Sequence, residues 1–243
     1  MNDFSTGGFG EVTAADIAQL LHAIDRAAFR LGFEREEFLD VRTVSAQTGI
    51  WPNRVRELLG DDEQPGAEPQ QPPRTRKERA TFYRQLVGRR LDLLRKRHAL
   101  DCTGPDVTDD DLVSSKHDSS YRTIGDELDL THSLVADLAN GEVSTRPEYS
   151  HPLEERYRVE HGYLSKTEGR ALADYLTAQK NGLLAGAVAA GMETLGGKQV
   201  AFRRMGNRPP TLEELLETVD ALVARTTLQR QRKQAASDDA GRD

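Results

Sequence analysis

The stretch Ile124-Gly-Asp-Glu-Leu-Asp-Leu-Thr-His-Ser-Leu-Val-Ala-Asp-Leu-Ala-Asn-Gly141 contains the pattern on which the fold prediction rests. It predicts two short helices joined by a tight turn, as in a helix-turn-helix, which needs a small residue where the helices cross. Gly125 is that small residue, Leu130 fills the turn, and Thr131 is placed to cap the second helix. The apolar positions expected to form the inner faces are Ile124, Leu128, Leu134 or Val135, and Leu138.

A second stretch, Val44-Ser-Ala-Gln-Thr-Gly-Ile-Trp-Pro-Asn-Arg-Val-Arg-Glu-Leu-Leu-Gly60, follows the same pattern. Ser45 is the small residue, Gly49 lies in the turn, Ile50 fills it, and Pro52 suits the first turn of a helix. Its exposed face is expected to carry Asn53, Arg54 and Arg56, whose side chains can contact adenine, guanine or phosphate. A helical domain that binds protein instead is the alternative.

Residues 61–75 contain four prolines among acidic and amide side chains, which predicts an extended linker. We therefore expect an N-terminal helical domain over 1–60 and a second domain over 76–168. A basic run follows the linker and makes Arg89, Arg90 and Arg95 candidate phosphate contacts. The alternative is a solvated helix face that pairs with the acidic residues 109–111.

Helical periodicity and capping signals cover most of the chain, and no stretch alternates in the manner of a strand, so the predicted fold class is all-α. A helical dimerisation segment is expected over 169–230 and a disordered tail over 231–243. Thr211 and Glu214 stand in capping-box register before the last helix. The predicted helices are 13–31, 34–48, 52–59, 76–99, a pair within 122–140, 153–160, 166–190 and 211–230.

The central stretch, together with the segment Pro152-Leu-Glu-Glu-Arg-Tyr-Arg-Val-Glu-His-Gly-Tyr-Leu164, resembles the Xre/Cro family of helix-turn-helix DNA-binding domains over roughly residues 80–168. The layout is similar to that of EspR-type actinobacterial regulators. The resemblance implies a sequence-preferring transcription regulator that acts as a homodimer on double-stranded DNA. It makes the start of the second helix the DNA-reading end, where Thr131, His132 and Ser133 are the candidate contacts. Arg122, on the first helix of the pair, is a further candidate.

Two positions depart from the family pattern. Asp129 stands at the turn, where glycine is usual, but aspartate tolerates the left-handed conformation. The second helix has no Arg or Lys and carries Asp137, which repels phosphate. Two other functions stay open: an architectural, nucleoid-associated DNA binder, and a protein-interaction adaptor that does not bind DNA.

Composition limits the remaining classes. Hydrophobic residues make up 37% of the chain, the net charge is −7, and Cys102 is its one cysteine. The prediction is a cytoplasmic protein of the nucleoid, with no membrane segment and no disulfide. The glycine-rich residues 7–12 look like the end of a protein-kinase phosphate loop, but the other kinase motifs are missing from the sequence. The histidines show no paired spacing of the kind that binds metal. We therefore expect no enzymatic activity, cofactor or metal.

Overall fold

The computed structural model describes residues 11–60, 66–101, 120–195 and 210–240, and all regular secondary structure in these ranges is helical. The all-α prediction is therefore confirmed. None of the helices in these ranges combines the length and the apolar character needed to cross a membrane. The helices are α1 (Ala14–Leu31), a 3-10 turn (Arg35–Glu37), α2 (Val41–Thr48), α3 (Pro52–Leu59), α4 (Arg76–Asp101), α5 (Tyr121–Leu128), α6 (His132–Ala139), α7 (Pro147–Arg156), α8 (Glu168–Thr194) and α9 (Leu212–Ala240).

Local capping explains where several helices begin. Thr13 precedes α1, and its main-chain N–H donates to Asp16 Oδ2 at 2.9 Å. Before α9, the N–H of Thr211 donates to Glu214 Oε2 at 2.9 Å, and the N–H of Glu214 donates to Thr211 Oγ1 at 3.2 Å. The predicted capping box is thus confirmed. The side-chain oxygens accept hydrogen bonds from backbone N–H groups that have no partner within the first turn of the helix.

The predicted single helix over 34–48 is wrong. The chain forms a short 3-10 turn and then starts again as α2, because Asp40 accepts from the N–H of Thr43 at 2.9 Å and caps a new helix. Boundaries also differ elsewhere: α7 covers 147–156 with Pro152 inside it, and α9 continues through residues that were predicted to be a disordered tail. The acidic residues 109–111, which the sequence analysis named as alternative partners of the basic run, lie outside the described residues.

Contacts divide the chain into two compact units that differ from the predicted domains. One unit contains Met1–Leu21 and Leu39–Leu176, and the other contains His22–Phe38 and Thr177–Asp243. Both helix-turn-helix motifs therefore belong to the first unit, and residues 61–75 are not a boundary between units. Residues 66–73 have no regular secondary structure, but they are packed: Pro69 is buried, and the N–H of Gln70 donates to Glu168 Oε2 at 3.0 Å.

The core of the first unit around the central motif is formed by α4 to α7 and the turn that follows them. The core residues on α4 are spaced at four and three, and those on α6 at three, so in each of these two helices they lie on one side. Its buried members are Val87, Leu91, Leu94, Ile124, Val135, Leu138, Leu153, Tyr163 and Leu164. The inner face of α6 thus includes Val135 and Leu138, two of the positions predicted for it.

In the second unit, some of the apolar side chains of α9 pack against the same chain. Leu216 and Val219 are buried, and the Val219 side chain lies against Gly191 of α8. Leu212, Leu215, Leu222 and Val223 are half-buried. Packing within the chain therefore buries part of the apolar side of α9, which lies in the segment predicted to dimerise.

Candidate nucleic-acid interface

The central motif has the close helix crossing that its sequence predicts. A Cβ atom added at Gly125 would lie 2.6 Å from the main-chain oxygen of Leu130, so only glycine fits. Asp129 ends α5 in the left-handed region, with φ 55° and ψ 37°. Thr131 caps α6 by accepting from the N–H of Leu134 at 3.2 Å. Together, the glycine at the crossing, the left-handed turn and the threonine cap determine the packing of α6 against α5.

The first turn of α6 faces solvent. His132 and Ser133 are exposed, as is the cap Thr131, and the Ser133 hydroxyl donates to Thr131 Oγ1 at 3.2 Å. Arg122 of α5 is also exposed, with its Nε 3.9 Å from Asp126 Oδ2. The four candidates of this motif are therefore accessible, and they offer hydroxyl, imidazole and guanidinium groups.

The N-terminal motif has the same construction. Val44, Ser45, Ile50, Val55 and Leu58 are all buried, and Gly49 ends α2 with φ 70°. On the outer side of α3, Asn53 and Arg56 are exposed, and Arg56 Nη1 donates to Asn53 Oδ1 at 2.7 Å.

Arg54 is differently placed from its two neighbours on α3. Its guanidinium donates to Glu57 Oε2 at 2.7 Å and to Glu168 Oε2 at 3.2 Å. It also donates to the main-chain oxygen of Glu68 at 2.8 Å. Two carboxylates and a carbonyl therefore hold Arg54, and its structural role is to join α3, residues 66–73 and the start of α8.

The basic run of α4 splits into buried and exposed parts. Arg90 and Arg95 are only 1% and 4% exposed, so the prediction that they face phosphate is wrong in this structure. Arg90 Nη1 donates to the main-chain oxygen of Tyr163, and burial lowers the Arg90 pKa to about 10. The Arg95 guanidinium stacks 3.9 Å from the centroid of the Tyr121 ring. Both side chains contribute to packing.

Arg89 and the residues around the start of α4 form the exposed part. Arg89 donates to Gln70 Oε1 at 3.0 Å and remains open to solvent. At the N-terminus of α4, four cationic side chains are exposed within six residues and are opposed by Glu78, which accepts from the Thr75 hydroxyl at 2.6 Å. We call this group the α4 basic cluster; its members are Arg74, Arg76, Lys77 and Arg79.

Tyr163 joins the two motifs, and its role was missed from sequence. Its hydroxyl donates to the main-chain oxygen of Ala46 in α2 at 3.3 Å, and its ring covers Gly49. Its own carbonyl accepts from Arg90. No sequence pattern indicates these contacts, because Ala46 lies 117 residues from Tyr163 in the chain.

A cleft of about 490 Å³ lies in the first unit beside this junction. Ile50, Trp51 and Leu86 provide apolar lining, and Arg90 and Glu168 provide charges of opposite sign. The Nε and Nη2 atoms of Arg90 are buried and make no hydrogen bond with the part of the chain that the structure describes. The junction between the motifs is therefore built partly from charged groups inside the unit.

Comparisons with protein-family models, with curated proteins and with solved structures found no match to this chain.

Proposed function

We propose that this chain is a DNA-binding transcription regulator that acts through its helix-turn-helix motifs as a homodimer. The observation that carries the proposal is the α5–α6 pair. Gly125 lets the helices cross closely, and the first turn of α6 is left open to solvent. In helix-turn-helix proteins, the N-terminal residues of the second helix contact base edges in the major groove. Thr131, His132 and Ser133 occupy that position.

The α4 basic cluster supports the proposal through its charge. Positive side chains near a helix N-terminus are unfavourable with the helix dipole, each by roughly 0.3–1 kcal/mol. The cluster nevertheless places four such side chains around the start of α4, all exposed. Phosphate binding would offset the repulsion, since most hydrogen bonds between proteins and DNA go to the backbone.

Base contacts are best assigned to side chains that are exposed to solvent. Asn53 and Arg56 of α3 are exposed, and amide and guanidinium groups form the bidentate pairs with adenine and guanine. Arg54 loses this role, because Glu57 and Glu168 hold its guanidinium. In the central motif, hydroxyl and imidazole groups replace arginine, which implies a smaller contribution to base discrimination.

A homodimer is supported by apolar side chains that face solvent in the second unit. Phe29 is 84% exposed, Phe33 is 45% exposed and Leu228 is 57% exposed. A contact with a second copy of the chain would remove these side chains from water. Pairing two reading modules would raise affinity through effective concentration.

The test is DNA binding as a function of salt. Fluorescence anisotropy of a labelled random duplex with the full chain gives a slope of log affinity against log salt of about −0.9 per neutralised phosphate. Arg74→Ala, Arg76→Ala and Lys77→Ala combined should make the slope shallower by roughly 2–3, by the same relation. The control replaces Arg26 and Arg225, exposed cations of the second unit, and should leave the slope unchanged.

A protein-interaction adaptor is the second candidate, and pairing of the cations favours it. Arg122 is paired with Asp126, Arg54 is paired with Glu168, and α6 has no cation. A folded chain with no detectable DNA binding at low salt would reject the DNA proposal and support the adaptor. Equal affinity for random duplexes and for duplexes enriched by selection would instead indicate an architectural DNA binder.

A further inference from the structure

Two histidines and a glutamate come together at the end of α7. The ligand atoms of His151, Glu154 and His161 all lie within 4.8 Å of one another. The rings of the two histidines have centroids 4.8 Å apart, and His161 Nδ1 lies 3.7 Å from Glu154 Oε2. The sequence spacing gave no sign of this group, because His161 reaches it through a turn rather than along a helix.

The local fold explains the meeting. His151 and Glu154 are three residues apart on α7, so their side chains leave the helix on the same side. The chain after α7 then turns back, with Gly162 at φ 85°. Glu154 holds this turn, because its two oxygens accept from the N–H of Gly162 at 2.9 Å and from the N–H of Leu164 at 3.0 Å.

Glu154 is therefore held in one orientation, whereas the side chains of the two histidines are able to rotate. The glutamate is fully buried and is fixed by two main-chain donors, while both histidines are exposed. A carboxylate oriented by hydrogen bonds is the usual arrangement around a metal ligand. Each carboxylate oxygen has a further lone pair, so the hydrogen bonds do not exclude coordination.

We propose that His151, Glu154 and His161 form a binding site for a divalent transition metal of the zinc class, with the fourth position open to water. Two imidazoles and a carboxylate are a ligand set that Zn²⁺ accepts in tetrahedral geometry, at about 2.0–2.2 Å from each ligand atom. Such geometry separates ligand atoms by about 3.3 Å. The observed 3.7 Å is near that value, and rotation of exposed imidazoles brings the third atom in.

The identity of the ligands excludes the hard cations. Ca²⁺ and Mg²⁺ are bound through oxygen atoms, with six or more ligands for Ca²⁺ and near-octahedral geometry for Mg²⁺. Imidazole nitrogens instead suit zinc, nickel and copper. The site therefore binds Zn²⁺, with Co²⁺ as its spectroscopic substitute.

Metal binding would stabilise the turn that connects the two motifs. Residues 157–165 join α7 to the segment before α8, and they carry Tyr163, which contacts Ala46 and Arg90. A metal that links His151 and Glu154 of α7 to His161 of the turn closes this loop with a coordinate bond. Neither the ligands nor this consequence depends on DNA binding.

The test titrates Co²⁺ into the untagged full chain after chelator treatment and dialysis, and follows the visible absorption of tetrahedral Co²⁺. One equivalent should bind, and Zn²⁺ should displace it, whereas Mg²⁺ and Ca²⁺ should not. In His151→Ala/His161→Ala, affinity should fall by more than about tenfold, since loss of even an outer partner of a ligand costs about 10–100-fold. His22→Ala removes an exposed histidine of the second unit and should bind Co²⁺ normally.

Two further measurements keep the result interpretable. Circular dichroism should show that the double variant is folded, because both histidine side chains are exposed. Zn²⁺ should raise the Tm of the natural chain but not that of the variant. Cys102→Ser should retain the Co²⁺ spectrum, because the proposed ligand set contains no thiol. No saturable binding at one equivalent, or equal binding by the double variant, would overturn the proposal.

Discussion

The ring of Tyr163 covers Gly49 so closely that a Cβ atom at position 49 would lie 2.7 Å from the ring carbon Cζ. Gly49 ends α2 in the left-handed region, and Tyr163 comes from the turn after α7. One glycine thus meets two requirements: a positive φ in the turn of the N-terminal motif, and space for a side chain that belongs to the central motif. The two helix-turn-helix motifs are fitted to each other at this point.

Replacing Gly49 with alanine should therefore be more destabilising than a left-handed backbone alone explains. The backbone cost is roughly 1–2 kcal/mol for a non-glycine residue. Gly162 is the matched control, because its φ is +85° and a Cβ atom there meets nothing within 4 Å. We expect Gly49→Ala to lower the free energy of unfolding by about 1–3 kcal/mol more than Gly162→Ala, the usual range for overpacking. Urea unfolding followed by circular dichroism measures both; equal losses would show that the ring moves aside freely.

Gly125→Ala tests the crossing of α5 and α6. The added methyl group would press on the main-chain oxygen of Leu130, which cannot rotate away, so a loss of about 1–3 kcal/mol is expected. Gly182→Ala in α8 is the control, because nothing lies within 4 Å of its Cβ position. Alanine should stabilise that helix by up to about 1 kcal/mol. Opposite signs of the two changes in thermal unfolding are the expected result, and a neutral Gly125→Ala would contradict the close crossing.

Alanine should be much more destabilising in place of Arg90 than in place of its neighbour Arg89. Arg90→Ala removes a buried side chain that bonds to the Tyr163 carbonyl, and should cost about 2–4 kcal/mol by analogy with other large buried side chains. Arg89→Ala should change stability by less than about 0.5 kcal/mol, as is usual for exposed positions. Differential scanning calorimetry of the two variants separates packing from surface charge. A loss of less than about 0.5 kcal/mol for Arg90→Ala as well would mean that Arg90 is not structurally required.

Stability should fall between about pH 10 and pH 12. Burial raises the pKa values of Tyr157 and Tyr163 to about 12, so the unfolded chain, with phenol pKa values near 10, loses those protons first and is favoured as pH rises. Arg90 acts in the opposite sense, because burial lowers its pKa to about 10 and the unfolded chain keeps its proton longer. Two phenols against one guanidinium leave a net loss.

Tyr163→Phe provides the check on this alkaline loss. At neutral pH the variant should lose about 1 kcal/mol, the contribution of the hydrogen bond to Ala46. Between pH 10 and pH 12 its stability should change much less than that of the natural chain, because Tyr157 and Arg90 then oppose each other. The measurement is the urea midpoint at each pH, and an unchanged pH dependence would remove Tyr163 from the explanation.

The sequence by itself determined the all-α class and the local construction of both motifs. Asp129 and Gly49 adopt the left-handed turns predicted for them, and Thr131 and Thr211 cap the helices that follow. These features depend on backbone dihedral angles and on hydrogen bonds between residues a few positions apart. The local sequence is therefore enough to predict them. The broken helix at Asp40 shows the limit, because a cap within a periodic stretch competes with helix continuation.

Only the tertiary structure decided which charged residues are available for binding. Arg90 is buried because Tyr163, 73 residues away, supplies its partner, and Arg54 is held by Glu168, 114 residues away. His161 likewise joins His151 and Glu154 through a turn whose course is fixed by hydrogen bonds to a buried carboxylate. Burial and pairing of a side chain depend on segments distant in the chain. A basic run read from sequence therefore contains phosphate-facing candidates and core residues alike, and only packing separates them.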